Sequence, residues 1–229
     1  MEFIRESVFF GVVLTIAVYE LGTWIKNKWK FELLNPLLLA ILLIIGILQL
    51  FHIDYQVYSE GAKYISYLLT PATVALAVPL YEQMEPLKKN WKAIFAGILS
   101  GALTSALFVF VMSILFGLSH EEYVTLLPKS ITTAIGMGVS EELGGIVTIT
   151  VAVIIVTGIF GNVFAEGICR LFHITEPVAK GIGIGSSAHA LGTAKAMELG
   201  EIEGAMSSLS IAVSGLITVV TASVFAQFY

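Results

Sequence analysis

Charge is scarce in this chain: Asp, Glu, Lys and Arg make up 13% of its 229 residues, about half the share found in soluble globular domains. Cysteine is scarcer still. A single residue, Cys169, excludes an intrachain disulfide framework and a zinc site built on thiolates. Basic tracts of the kind that bind nucleic acid are missing, and a formal net charge of −5 points to no partner. No His/Asp/Glu set has metal-ligand spacing. Ser187 and His189 stand close together, but without the strand–turn–helix elbow that a Ser–His nucleophile needs. No enzymatic activity, metal or cofactor is therefore expected, and no nucleic acid.

What the chain has is apolar length. Hydrophobic residues account for 57% of it and gather in six runs of 18 to 26 residues, 7–25, 33–51, 64–81, 93–118, 143–164 and 204–229, with Glu20 the one charge inside them. About 20 apolar residues rising 1.5 Å each match a hydrocarbon core about 30 Å thick. A soluble core accommodates one such run, not six. The pattern predicts an all-α integral membrane protein in one membrane domain with no soluble module. No A-x-A-like site follows the first run, so it is expected to be a retained span and not a signal peptide.

Lys and Arg gather in cytoplasmic loops. Lys26, Lys28 and Lys30, then Lys88, Lys89 and Lys92, then Arg170 and Lys180 mark inside segments. The acidic stretches Asp54–Glu60 and His120–Glu122, and later Glu198, Glu201 and Glu203, mark outside ones. About seven crossings follow, with the N-terminus outside. The tetrapeptide LFHI occurs at Leu50–Ile53 and again at Leu171–Ile174. Each copy follows a long apolar run and precedes an interrupted span, a short polar loop and an unbroken 26-residue run. By the charge rule the first copy lies outside and the second inside, as in the inverted-topology repeats of secondary transporters. The expected layout is an extra N-terminal span over 1–32, a first repeat over 33–118 and a second over 125–229.

The interrupted spans carry the polar chemistry. One reads LLTPATVALAVPLY, with Pro71 and Pro79 inside it and Thr70, Ala72 and Thr73 beside the first break. The other reads GIGIGSSAHALGTAKAME, where glycines including Gly192 weaken the helix and Ser186, Ser187, His189, Thr193 and Lys195 bring polar atoms to membrane depth. Such breaks are tolerated in lipid where neighbours or a cavity satisfy the freed backbone groups. A half-helix beginning at mid-membrane offers unpaired N–H groups and a positive dipole end, which suit a carboxylate or phosphate. Proline kinks and small-residue packing are the plainer alternative for each segment alone. The glycines do not form a dinucleotide fingerprint, because the spacing fails at Ser186.

A third polar cluster spans Pro128–Gly145, where Lys129, Ser130, Thr132 and Thr133 precede Glu141 and Glu142. Lys129 is a candidate partner for a bound carboxylate, and Glu141 or Glu142 a candidate carrier of a coupling proton; an interfacial loop with solvated charges is the alternative. His189 is open between ligand, proton carrier and structural group. Gly97 and Gly101 form a G-x-x-x-G, a packing seam either within one chain or between the chains of a homodimer.

These same segments resemble the LrgB/CidB family of bacterial membrane proteins. The likeness runs from about Asn35 to the end and is carried by NPLLLAILLIIG, LLTPATVALAVPLYEQ, LLPKSITTAIGMGVSEELGG and GIGSSAHALGTAKAMELGEIEGAMSSL. The chain departs from the family pattern at Thr70, where Gly is expected, at Ala134, where Pro is, and at Ala188, where Ser is. The resemblance implies a multi-pass protein of the bacterial plasma membrane, and it implies two descriptions of function. One is antiholin-like: together with a small LrgA/CidA-type partner, modulation of murein hydrolase activity and autolysis. The other is movement of small monocarboxylates, glycolate and glycerate in a plastid relative and pyruvate in bacterial pairs. The broken spans favour transport, with a site expected where 70–79 and 186–195 meet and Lys129, Thr132 and Thr133 nearby.

Overall fold

The computed structural model describes residues 9–29, 34–75 and 77–229. Among them, all regular structure is helical: α1 (Phe10–Trp29), α2 (Pro36–Leu50), α3 (Tyr55–Ser66), α4 (Leu69–Ala75), α5 (Ala77–Glu82), α6 (Met84–Phe116), α7 (His120–Leu126), α8 (Thr133–Glu142), α9 (Val147–Leu171), α10 (Pro177–Leu199), α11 (Glu201–Phe225) and a closing 3-10 turn, Ala226–Phe228. The helices form two compact units, Met1–Ala75 and Leu76–Tyr229.

In the first unit α1 packs on α2 and α3. A β-carbon at Gly11 would fall on the Ala62 amide and the Tyr58 carbonyl, and one at Gly22 would lie 2.9 Å from the Pro36 carbonyl oxygen. Close approach at small residues is how helices associate where lipid removes the hydrophobic drive. Val18, Ala40 and Ile44 fill the contact. Asn35 starts α2, its side chain accepting from the Leu37 and Leu38 amides, with Pro36 in the first turn, where a missing N–H costs nothing. The interrupted run 64–81 forms no single span: it holds the short helices α4 and α5, and Leu76 lies outside the described residues.

The two LFHI copies adopt the same turn. After α2, His52 has φ 49, its N–H reaches the Gln49 carbonyl at 3.2 Å and the Ile53 N–H reaches Leu48 at 2.9 Å. After α9, His173 has φ 55, with His173 to Arg170 at 3.2 Å and Ile174 to Cys169 at 2.8 Å. Both are Schellman caps with histidine in the left-handed position usually held by glycine. The repeated letters are a repeated helix stop.

The second unit is apolar on its outer faces and mixes apolar clusters with hydroxyl side chains inside. Three of its helices are long and apolar enough to cross a membrane, over Lys88–Phe116, Val147–Leu171 and Glu201–Phe228. Phe95, Leu107, Val111 and Leu115 of α6, Val156, Phe160 and Phe164 of α9, and Leu216 and Val220 of α11 face outward. Ser113, Ser140, Thr150, Thr193, Ser207 and Ser210 are buried.

Between these long helices lie two helical hairpins. The first joins α7 to α8 through residues 127–132. Thr125 of α7 lies against the far end of α8: its hydroxyl accepts from the Ile146 N–H at 2.8 Å, while Thr150 donates to its carbonyl at 2.9 Å and to Ser140 Oγ at 2.6 Å. The second is α10 itself, which reverses at His189 (φ 43, ψ −140). A straight helix would hold Lys180 and Leu199 about 28 Å apart; instead both line one small cavity of about 280 Å³. Ile184 and Ala196 share an apolar cluster, and a β-carbon on Gly192 would lie 2.6 Å from that of Ala188.

α9 measures where the hairpins end. Its Thr150 touches Thr125 and Ser140, Ile154 meets Gly136, and the Ile154 carbonyl lies 3.0 Å from His189 Nε2. Further along, Asn162 Nδ2 donates to the Leu191 carbonyl at 2.7 Å, Ala165 packs with Ile184, and Glu166 pairs with Lys195 at 3.1 Å. The two hairpins therefore enter from opposite ends of α9, and their closed ends meet near its middle. One expectation is corrected here. Glu203 lies 3.9 Å from Lys180, so it shares the end of the unit that holds Arg170 and Lys180, because 177–199 returns to the side it entered from and does not cross.

Candidate solute site between the hairpin tips

A cavity of about 820 Å³ in the second unit lies along the seam of α6 and α10. α6 supplies Asn90, Ala93, Gly97, Ser100, Gly101, Thr104, Ser105 and Phe108; the first hairpin supplies Lys129 and Ser130; the entering arm of α10 supplies Ile182, Gly183, Ser186 and Ser187. From Asn90 to Phe108 the helix rises about 27 Å, so the cavity runs from the end of the unit carrying Lys88, Lys89 and Lys92 to the hairpin tips.

Small residues make the space. A β-carbon at Gly97 would stand 3.2 Å from Ile182 and one at Gly101 3.0 Å from Ser186 Oγ. The G-x-x-x-G is thus a seam within one chain, between α6 and α10. At the deep end, Lys129 Nζ donates to Ser130 Oγ at 2.9 Å, and Ser130 Oγ lies 3.2 Å from Ser105 Oγ. An ammonium has three donors, so two remain for a ligand. Among the described residues no carboxylate stands within ion-pair distance of Lys129. Glu176 is the other charged side chain on the wall, at the opposite end, about 16 Å along α10 from Ser187. Ser186 and Ser187 donate to the Ile182 and Gly183 carbonyls of their own helix, each at 2.7 Å, and keep acceptor capacity towards the cavity.

This chemistry suits a small monoanion with hydroxyl or carbonyl groups. One cation balances one carboxylate, hydroxyls line the walls, and no carboxylate competes for the cation. Charge at such depth is costly enough that it faces a partner or a cavity.

Not every predicted residue gathers here. Lys129, Ser130, Ser186 and Ser187 share the cavity. Thr132 and Thr133 are half-buried at the start of α8 and absent from the wall. Glu141 and Glu142 are exposed at the other end of α8. His189 and Thr193 are buried in the hairpin turn: the Thr193 hydroxyl donates to the His189 carbonyl at 3.0 Å and meets Ser207 Oγ at 2.7 Å. Gly192 packs between the two arms. Lys195 is taken up by Glu166 at 3.1 Å and Glu198 at 3.3 Å. Thr70, Pro71, Ala72 and Thr73 belong to α4 in the first unit, with Pro71 and Ala72 exposed and the side chains of Thr70 and Thr73 outside the described residues. The polar wall residues that sequence reasoning missed are Asn90, Ser100, Thr104 and Ser105 on α6 and Glu176 before α10. Those of α6 carry a signal, the spacing of small and hydroxyl residues at 97, 100, 101, 104 and 105, one face of an apolar run.

The LrgB-like family model matches residues 15–228. The chain belongs to the LrgB-like family. The antiholin-like protein LrgB of Bacillus cereus (strain B4264) is 37% identical over 221 residues, which cover 96% of each chain. The antiholin-like protein LrgB of Bacillus anthracis (strain CDC 684 / NRRL 3495) matches to the same extent. No solved structure matches. The four stretches that suggested LrgB membership all fall inside the matched residues. As an LrgB-like protein with bacterial relatives and three long apolar helices, it is a multi-pass protein of the cell membrane.

Proposed function

We propose that this protein passes small monocarboxylates of the pyruvate, glycolate or glycerate type across the membrane through the cavity between its hairpin tips. The observation that carries the reading is Lys129: an ammonium without a carboxylate partner among the described residues, with two free donors, at the deep end of a hydroxyl-lined cavity. Ser130 and Ser105 orient the ammonium, Ser186 and Ser187 meet polar groups of the solute, and alternating access moves one bundle past another around the site. The twin LFHI caps support an inverted repeat, to which 70–79 contributes the counterpart of the α10 break. Thr132 and Thr133 then serve the solute in other states of the cycle, and Glu141 or Glu142 the coupling proton.

Uptake of labelled pyruvate and glycolate into proteoliposomes tests this. Lys129→Ala is expected to lower uptake at least about thirtyfold, the loss that follows from deleting one partner of a desolvated charge pair. Wild-type uptake in that variant would remove the site.

A second reading has a specific support: relatives 37% identical over 96% of the chain bear the name antiholin-like. That name favours regulation of murein hydrolase activity, with an LrgA/CidA-type partner, more directly than it favours transport. Autolysis measured in cells expressing both subunits separates the readings. If solute passage underlies the phenotype, Lys129→Ala abolishes it; if regulation acts through protein contacts, the variant retains it.

A further inference from the structure

The returning arm of the α10 hairpin, residues 190–199, is held differently from the hairpin opposite it. Its buried residues are Gly192, Thr193 and Ala196, and none of them is bulky. Leu191 and Met197 pack at the edges against Gly158 and Gly204, and Leu199 against Ala165 and Ile184. Polar contacts add Asn162 Nδ2 to the Leu191 carbonyl at 2.7 Å, Thr193 to Ser207 at 2.7 Å, and Lys195 to Glu166 at 3.1 Å. The opposite hairpin is fixed otherwise. Tyr123, Val124, Leu127, Ile131 and Val139 form one apolar cluster with Ala106, Val109 and Ala222, and the Tyr123 hydroxyl donates to the Phe225 carbonyl at 2.9 Å. Apolar burial cannot be exchanged for water at small cost, whereas hydrogen bonds and half-exposed ion pairs can.

The arm also has a joint at each end. His189 sits at φ 43, ψ −140, a conformation that L-residues rarely adopt and that collects at moving or functional segments. Gly200 follows at the other end in extended backbone. Behind the arm, Cys169, Glu166 and Leu199 line the cavity of about 280 Å³.

We propose that residues 190–199 are a gate leaf of the solute pathway, hinged at His189 and Gly200 and latched to α9 by the Glu166–Lys195 ion pair. The role as gate rests on the carrier reading; the latch itself does not need it. With the latch closed, the leaf holds the hairpin turn beside Ile154 and thereby fixes Ser186 and Ser187 on the wall of the larger cavity. With it open, the small cavity joins the outside and Cys169 is uncovered.

The chain's one thiol reports this directly. The rate of N-ethylmaleimide reaction at Cys169 is measured on the full-length protein in proteoliposomes without added solute. Lys195→Met and Glu166→Gln are each expected to raise the rate about fivefold, in proportion to the population of the open form. Wild-type protein needs no mutation to show the effect, since raising NaCl from about 0.05 M to about 1 M screens a partly exposed pair and speeds labelling. A rate indifferent to both the substitutions and the salt overturns the latch. Should Lys195→Met fail to fold, the salt series decides alone. Carboxylate uptake is scored separately: latch-dependent labelling without wild-type uptake sinks the carrier reading and leaves the moving leaf, while uptake with labelling indifferent to the latch does the reverse.

Discussion

Two residues carry charge or strain to the middle of this protein, and each does so for a different reason. Lys129 stands on non-helical backbone between two short helices, with no carboxylate partner among the described residues, and in the proposed carrier its charge meets the anionic solute. His189 does not face the cavity. Its ring meets the Ile154 carbonyl, and a β-carbon at Gly158 would stand 2.7 Å from it, so it acts as the strut of a reversal. Its positive φ is therefore a cost that glycine would not bear, about 1 kcal/mol or somewhat more. His189→Ala is expected to melt below His189→Gly in detergent, because both lose the ring's hydrogen bond and only alanine keeps the strain. The opposite order would show that the turn is unstrained.

At the scale of elements, polar and glycine content told where helices break but not which way the chain leaves the break. GIGIGSSAHALGTAKAME predicts a weakened helix at mid-membrane, and the helix does break at His189. That it reverses depends on Gly161, Gly181 and Gly185, which let α9 and α11 approach the entering arm, and on Gly158 and Gly204, which do so for Leu191 and Met197 of the returning one; no local pattern reveals such partners. For the same reason the acidic residues at 198–203 suggested a crossing that the reversal removes, and the α6 wall was hidden in a run that reads as unbroken span. Gly185 offers a check: its β-carbon would fall on the Ser207 carbonyl, so Gly185→Val should cost about 1–3 kcal/mol, read as a lower Tm. An unchanged Tm would mean that α10 and α11 are not packed backbone to backbone. At the mouth of the other hairpin, Ser119 and Glu122 form a capping box. The Ser119 amide and hydroxyl donate to the Glu122 carboxylate at 2.7 and 2.9 Å and hold it below the usual carboxylate range. A lowered folded pKa means a contribution present above the unfolded pKa and lost as pH falls through the lowered one. Melting curves of Glu122→Gln against pH should lack that acid-side decline, because the titrating carboxylate is gone while the Ser119 amide remains; a decline equal to wild type would contradict the cap.

For the second unit as a whole, the apolar outer faces, the three long apolar helices and the opposed hairpins form one scheme, in which the two helix breaks at the hairpin tips lie inside the unit. Irregular backbone at membrane depth is tolerated where protein or a cavity surrounds it. Hydropathy alone revealed the membrane and the helices. Family motifs revealed the relatives. Neither revealed that Lys129 and Ser186 approach the same cavity from opposite sides. The claim that this cavity is a carboxylate site is tested most directly by thermal unfolding of the purified protein against a titration of pyruvate, glycolate and glycerate, in wild type and Lys129→Ala. A ligand at about one hundred times its Kd stabilises the folded form by about 2.7 kcal/mol, so at least one of these acids should raise the wild-type Tm saturably and leave Lys129→Ala unmoved. Wild-type curves that superimpose with and without every acid, or a shift that survives in Lys129→Ala, would contradict it.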